Sequence, residues 1–250
     1  MRTRFVAVVL GSLLVAACGG EQAVVKRDRA DSHYNLGLAR ISGGDAKQAI
    51  TEFALAIGEV PGNPVYHNAI GLAYLVERRI DPAVASFQKA IQLDPKFSDA
   101  YNNLGSAYVQ RAEYEKATKA FKEALANPAY LTPEQAHLNL GNVYAVQGRL
   151  AEAIEEFKRA LDISPDCAEA HNRLGYVYLL QGRSELAVAE LTMALKQAPD
   201  LATAHQSVGF AYLLAGEKDR ARQAFKKVIE LSPTGEMAAE AMRQLKQLNQ

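Results

Sequence analysis

Residues 168–201 read AEAHNRLGYVYLLQGRSELAVAELTMALKQAPDL, and this stretch decides the fold. Apolar side chains recur three and four residues apart on both sides of Gln181-Gly182, with Leu174, Val177 and Tyr178 ahead of the pair and Ala187, Leu191 and Ala194 behind it. That spacing predicts two amphipathic helices joined by a tight turn. Pro199 ends the second, because proline cannot continue a helix and disfavours helical geometry in the residue before it. The same unit runs along most of the chain. His33, His67, Tyr101, His137, His171 and His205 occupy its fourth position at spacings of 34, 34, 36, 34 and 34 residues, and the five histidines are all the chain has.

Six units follow: Ala30 to Asn63, Pro64 to Phe97, Ser98 to Pro133, Glu134 to Cys167, Ala168 to Leu201, and Ala202 to Gly235. Position 8 is glycine in all six (Gly37, Gly71, Gly105, Gly141, Gly175 and Gly209), and position 20 is alanine in all six. Glycine inside a helix costs about 1 kcal/mol relative to alanine. Its recurrence therefore predicts a close approach of the first helix to the second, with the position 20 alanine as the small partner. Phe53, Phe87, Phe121, Phe157, Leu191 and Phe225 fill position 24, and five tyrosines from Tyr74 to Tyr212 fill position 11. Arg40 takes that position in the first unit, as suits a terminal repeat with no neighbour on its outer side. Residues 236–250 carry Met237, Ala241, Leu245 and Leu248 on one helical stripe, which predicts a capping helix.

An aromatic or histidine, then Leu-Gly, Tyr, Ala, Phe and Pro on a 34-residue period resembles the tetratricopeptide repeat. The resemblance implies an all-α superhelical solenoid of six helix-turn-helix repeats, a fold that serves as a scaffold for other proteins.

Composition agrees. Hydrophobic residues make up 49% of 250, enough to bury a core repeat by repeat. Lys plus Arg and Asp plus Glu balance at 28 each, so no basic field attracts nucleic acid. Arg2 and Arg4 precede an apolar run from Phe5 to Ala17, too short to span a bilayer and laid out as a secretory signal over residues 1–17. It ends Leu14-Val15-Ala16-Ala17-Cys18-Gly19, which resembles a bacterial lipobox and implies lipid on Cys18; Gly19, where an inner-membrane retention signal has Asp, points to the outer membrane. Two or more acyl chains anchor stably. Residues 18–29 lack helical periodicity and read as a short tether. Cys167 is left without an intramolecular partner, and a small buried apolar role is expected for it.

Nothing in the pattern suggests an enzyme, a metal, a cofactor or a small-molecule substrate. The histidines stand a full repeat apart, so no two share a ligand set or a dyad. Their slot accepts aromatics, as Tyr101 shows. Glu52, Glu190 and the pair Glu155-Glu156 are expected on a solvated helix face, and Gly43-Gly44, Gly148 and Gly182 sit at turns without phosphate-loop spacing.

In the repeat family the inner wall comes from positions 2, 5, 9, 12 and 13 of each first helix, with position 6 at its edge. Here that wall is apolar with interspersed amides, a chemistry suited to a polypeptide segment. The candidate partner-binding strip in the first three units is Tyr34, Leu38, Ile41, Asn68, Leu72, Leu75, Asn102 and Asn103, with a second apolar stretch at Tyr176, Leu180, Phe210 and Leu214. The chaperone-type carboxylate clamp fits only at Asn139 and Arg173, and an asparagine ladder at position 6 is broken by Ala69, Arg173 and Ser207.

The third junction, Ala124 to Pro133, is two residues longer than the others. With Asn102-Asn103-Leu104-Gly105 ahead of it, with the lipobox and with six repeats, the chain resembles the type IV pilus biogenesis lipoproteins of the PilF, PilW and Tgl type. That resemblance implies a pilotin: a protein on the periplasmic side of the outer membrane that helps the pilus secretin subunit reach that membrane and close into its ring. The alternative is an adaptor lipoprotein for another envelope assembly or export machine, or a regulator of a cell-wall enzyme.

Overall fold

The computed structural model describes residues 3–248, with side chains from residue 22 onward. The signal segment and Cys18 lie outside the described side chains. The chain divides into two compact units, 1–116 and 117–250. The first holds α1 (Thr3–Ser42), α2 (Ala46–Glu59), α3 (Pro64–Val76), α4 (Ile80–Leu93) and α5 (Ser98–Gln110), while α6 (Tyr114–Leu125) carries the boundary. The second holds α7 (Pro133–Val146), α8 (Leu150–Ile163), α9 (Ala168–Leu180), α10 (Ser184–Gln197), α11 (Ala202–Leu214), α12 (Lys218–Leu231) and α13 (Glu236–Leu248). The fold class read from the sequence is the one observed: within the units consecutive helices pair as hairpins, α1 with α2 and α3 with α4 in the first, α7 with α8, α9 with α10 and α11 with α12 in the second.

Within each unit the hairpins close as the periodic residues require. Phe53, Phe87, Phe157, Leu191 and Phe225 are at most 1% exposed, each contributing about 1.5–3 kcal/mol of hydrophobic stabilisation. The position 8 glycines face these side chains. A Cβ on Gly141 would stand 2.6 Å from Phe157 Cε1, and one on Gly175 2.6 Å from Leu191 Cγ. The nearest partner is thus the position 24 side chain, whereas the alanine was expected; Gly175 also meets position 20, through the Ala187 carbonyl oxygen at 3.2 Å.

The turn between the two helices needs a left-handed residue at position 15. Gly44, Gly148, Gly182 and Gly216 supply it, but Arg78 and Ala112 hold the same conformation at φ 56°. In three repeats the residue after the turn is an arginine that lies over the position 11 ring: Arg79, Arg149 and Arg183 stand 4.7, 4.3 and 5.0 Å from the centroids of Tyr74, Tyr144 and Tyr178. Cation–π attraction adds about 0.5–1 kcal/mol at such exposed sites. Five of the second helices stop two residues short of a proline, as at Leu93 before Pro95 and Ile163 before Pro165, and α6 stops three short, at Leu125 before Pro128.

Two local expectations change. Residues 22–29 are helical and exposed, continuous with the first repeat through α1, where an irregular tether was expected. Their charged side chains give no apolar stripe because the helix has no surface to pack against before Ala30, which is fully buried. Cys167 is half-buried, not buried. The longer third junction buries Tyr130 and leaves Leu131 91% exposed. At the other end α13 lays Met237, Ala241, Leu245 and Leu248 on the core of α12, which is the expected cap. No helix among the described residues is long and apolar enough to cross a membrane.

Candidate functional site

The residues predicted for the wall lie on first helices, and they separate into three roles. In the first unit Leu38 on α1 and Leu72 on α3 are 42% and 41% exposed, and Val76 follows Leu72 by one turn at 62%. These three offer apolar surface. Ile41, Leu75 and Tyr34 are half-buried, and Ile41 and Tyr34 pack on the Phe53 core. The Tyr34 ring lies 5.9 Å from that of Phe53 and 5.3 Å from that of Tyr66. Tyr66 in turn donates its hydroxyl to Asp31 Oδ1. Burial first, and the Asp31 bond second, raise the Tyr66 phenol above its ordinary value.

The amides do not stand ready for a ligand's backbone as expected. Asn68 is buried, and its Oδ1 accepts from Asn103 Nδ2 at 2.9 Å, a bond from one repeat to the next. Asn102 is half-buried beside them. In the second unit Asn172 likewise reaches the following repeat, donating to Thr203 Oγ1 at 3.3 Å. Position 5 amides tie neighbouring first helices together.

The second unit holds a cavity on this side of its first helices. A groove of about 420 Å³ runs between α7 and α9, with Val146, Tyr176 and Leu180 on its walls and Phe157 beneath. Such a volume lies in the range of ligand-sized clefts. Asn142 and Arg173 are its polar groups, and Arg173 Nε donates to Glu169 at 2.6 Å. Tyr176 and Leu180, from the second predicted stretch, therefore belong to one concavity, while Leu38 and Leu72 are exposed side chains of the first unit.

The histidines are structural but not solitary. Nδ1 of His33, His137 and His171 donates to Glu52, Glu156 and Glu190 at 2.7, 2.6 and 2.7 Å. These carboxylates are not a solvated face, and Glu156 is buried. His67, His171 and His205 also meet the carbonyl of the proline six residues earlier, at 2.8, 3.0 and 2.8 Å. Each imidazole thus joins its own second helix, the preceding repeat, or both. Among the described residues no group of three or more His, Cys, Asp or Glu side chains could hold a metal ion.

Models of the tetratricopeptide repeat match residues 21–64, 79–111, 98–126, 141–182, 168–201 and 202–234. No curated protein matches the sequence. Among solved structures, PilW, a widely conserved type IV pilus biogenesis factor, is 23% identical, covers 88% of this chain and 98% of its own, and superposes with a TM-score of 0.77. PilF of Pseudomonas aeruginosa is 19% identical over 88% of this chain and 99% of its own, with a TM-score of 0.78. The Cut9–Hcn1 hetero-tetramer of APC/C is 18% identical over 92% of this chain but 46% of its own, with a TM-score of 0.77. At these identities the likeness is one of fold.

Proposed function

Because this chain belongs to the tetratricopeptide-repeat proteins, scaffolds for protein interaction and not enzymes, we propose that it serves type IV pilus assembly as a pilotin: a lipid-anchored protein of the outer membrane that holds a segment of the secretin subunit. The observation that carries this reading is the end-to-end match to PilW and PilF, whose chains are covered almost completely. The lipobox supports the anchor, with Cys18 as the acylated residue and lipid as the only attached group. Repeats exposing apolar side chains on their first helices support a polypeptide partner, because such side chains gain about 25 cal/mol per Å² when a partner covers them.

Leu38 and Leu72 are the residues of the predicted strip best placed to meet that partner. A second position for the segment is favoured by the groove around Val146, Tyr176 and Leu180. One experiment separates them. Leu38→Glu with Leu72→Glu, and separately Val146→Glu with Leu180→Glu, place charges on surfaces that must lose water on binding, at a cost above that of the lost contacts. Secretin multimers are then scored in detergent gels beside Cys18→Ala, whose fatty-acid labelling and membrane fractionation report the anchor. Loss of multimers in one double variant assigns the segment to that surface. Normal multimers in a strain lacking the chain would overturn the pilotin reading in favour of an adaptor for another envelope machine.

A further inference from the structure

Second helices in the second unit expose charged outer faces, except one. Where α8 exposes Glu152, Glu155, Lys158 and Arg159, α10 exposes Leu186, Ala189, Thr192 and Met193. At the first three of these positions α12 has Arg220, Gln223 and Lys226. Leu186 and Met193 are each 38% exposed. The Thr192 hydroxyl donates to the Val188 carbonyl at 2.7 Å, so it is satisfied inside the helix and its methyl completes the apolar face. Exposed charges frame that face at its two ends, Glu185 and Lys196.

We propose that this face binds a second copy of the chain, α10 against α10 in antiparallel orientation. A two-fold axis beside Ala189 and Glu190 sets Leu186 against Met193 of the second copy and Glu185 against its Lys196, and symmetry repeats both contacts. The helical phase agrees: at about 100° per residue, Leu186 and Met193 share one edge of the face while Glu185 and Thr192 share the other. In a two-fold antiparallel pair each edge meets its own copy. Ala189 lies between the edges, where a small side chain lets the helices approach. Parallel pairing would instead oppose Glu185 to Glu185 and Lys196 to Lys196, an arrangement that charge repulsion disfavours.

A single helix pair buries less than the roughly 1,000 Å² of a stable interface, so the dimer is weak in dilute solution. Confinement on a membrane raises the effective concentration and favours it, a step that rests on the lipid anchor proposed above.

The test uses the full chain in native membranes, with Cys167→Ser as background and Leu186→Cys and Met193→Cys expressed singly and together. Antiparallel pairing gives a disulfide dimer in the mixed sample at about ten times the yield of either variant alone. In that geometry the two copies of residue 186 stand seven residues, about 10 Å, apart along the helix, beyond the roughly 7 Å a disulfide spans. Adding Glu185→Lys to both chains should lower the yield about tenfold, the equivalent of losing two exposed ion pairs. Adding Lys196→Glu to the same chains should restore it. Equal yields in the single-variant samples, no dimer in the mixed sample, or failure of the charge exchange to restore the yield would each overturn the proposal. So would cross-linking only to a different protein. Fractionation of the same samples reads the anchor separately: a chain found off the membrane counts against the lipoprotein reading, and the cross-linking is then repeated on concentrated soluble chain.

Discussion

Gly141→Ala should destabilise the second unit although alanine is the better helix former. A Cβ at residue 141 would lie 2.6 Å from Phe157 Cε1, 2.8 Å from Cδ1 and 3.1 Å from Cζ. Carbon atoms rest comfortably at about 3.5–4.0 Å, so the ring must retreat by about 1 Å. Phe157 is fully buried beneath the groove between α7 and α9. Overpacking of this kind costs about 1–3 kcal/mol, and the gain in helix propensity returns about 1 kcal/mol. The net expectation is a loss of about 1–2 kcal/mol, read as a lower urea midpoint by circular dichroism at 222 nm with an unchanged slope. The sign should reverse once the ring is removed. In a Phe157→Ala background, itself less stable by about 3–5 kcal/mol, Gly141→Ala should stabilise by about 1 kcal/mol because only the propensity remains. That reversal is a coupling energy between the two sites. If Gly141→Ala stabilises the otherwise unaltered chain, the close-approach account of all the position 8 glycines is refuted.

The turns give an opposite case: Arg78→Gly and Ala112→Gly relieve left-handed strain of about 1–2 kcal/mol and lose part of it to unfolded-chain entropy, for a net gain of about 0.5–1 kcal/mol in denaturant melts. Tyr66 carries a pH dependence of definite sign, because its phenol is raised in the folded state by burial and by the Asp31 bond. Its contribution is fully present below the ordinary phenol value of about 10 and is lost as pH rises through the folded value, so urea midpoints should fall less steeply above pH about 10 in Tyr66→Phe. His171→Phe should cost about 1–3 kcal/mol by leaving the half-buried Glu190 carboxylate without its imidazole, and Glu190→Ala in the same chain should recover most of it. Equal stability of the single and double variants would show that the pair contributes nothing.

The last of these marks where sequence reading stopped short. Tyr101 made the histidine slot look like a plain aromatic position, yet the residue 19 places on is Ala120 there and glutamate after His33, His137 and His171. The signal was present as a pairing inside three of the five histidine repeats, with Ser86 and Ala224 at that place after His67 and His205, and reading each position as its own column concealed it. Helices, turns, cap and the position 8 glycines were legible because each depends on residues within one hairpin. The Asn68–Asn103 bond was not, since its partners lie 35 residues apart and meet only through the register of one repeat on the next. The helical stretch 22–29 escaped for the opposite reason: with no surface to bury, it carries no stripe for a periodicity argument to find.

Repetition therefore limits what each residue reveals. A side chain present in every unit answers to the hairpin, as the phenylalanines at position 24 do, and its substitution is felt as stability. A side chain that departs from its column is under no such demand, so its departure has to be explained by something outside the hairpin. By that reasoning Leu186 and Met193, standing where the flanking second helices carry glutamate, lysine or arginine, resemble Arg173 in the groove of α7 and α9, which stands where other units carry asparagine, alanine or serine. The two lie on different helices of one repeat. Variants of the α10 face should leave the partner proposed for the groove bound, and variants of the groove should leave the proposed α10 cross-link intact, because residues without shared contacts contribute independently.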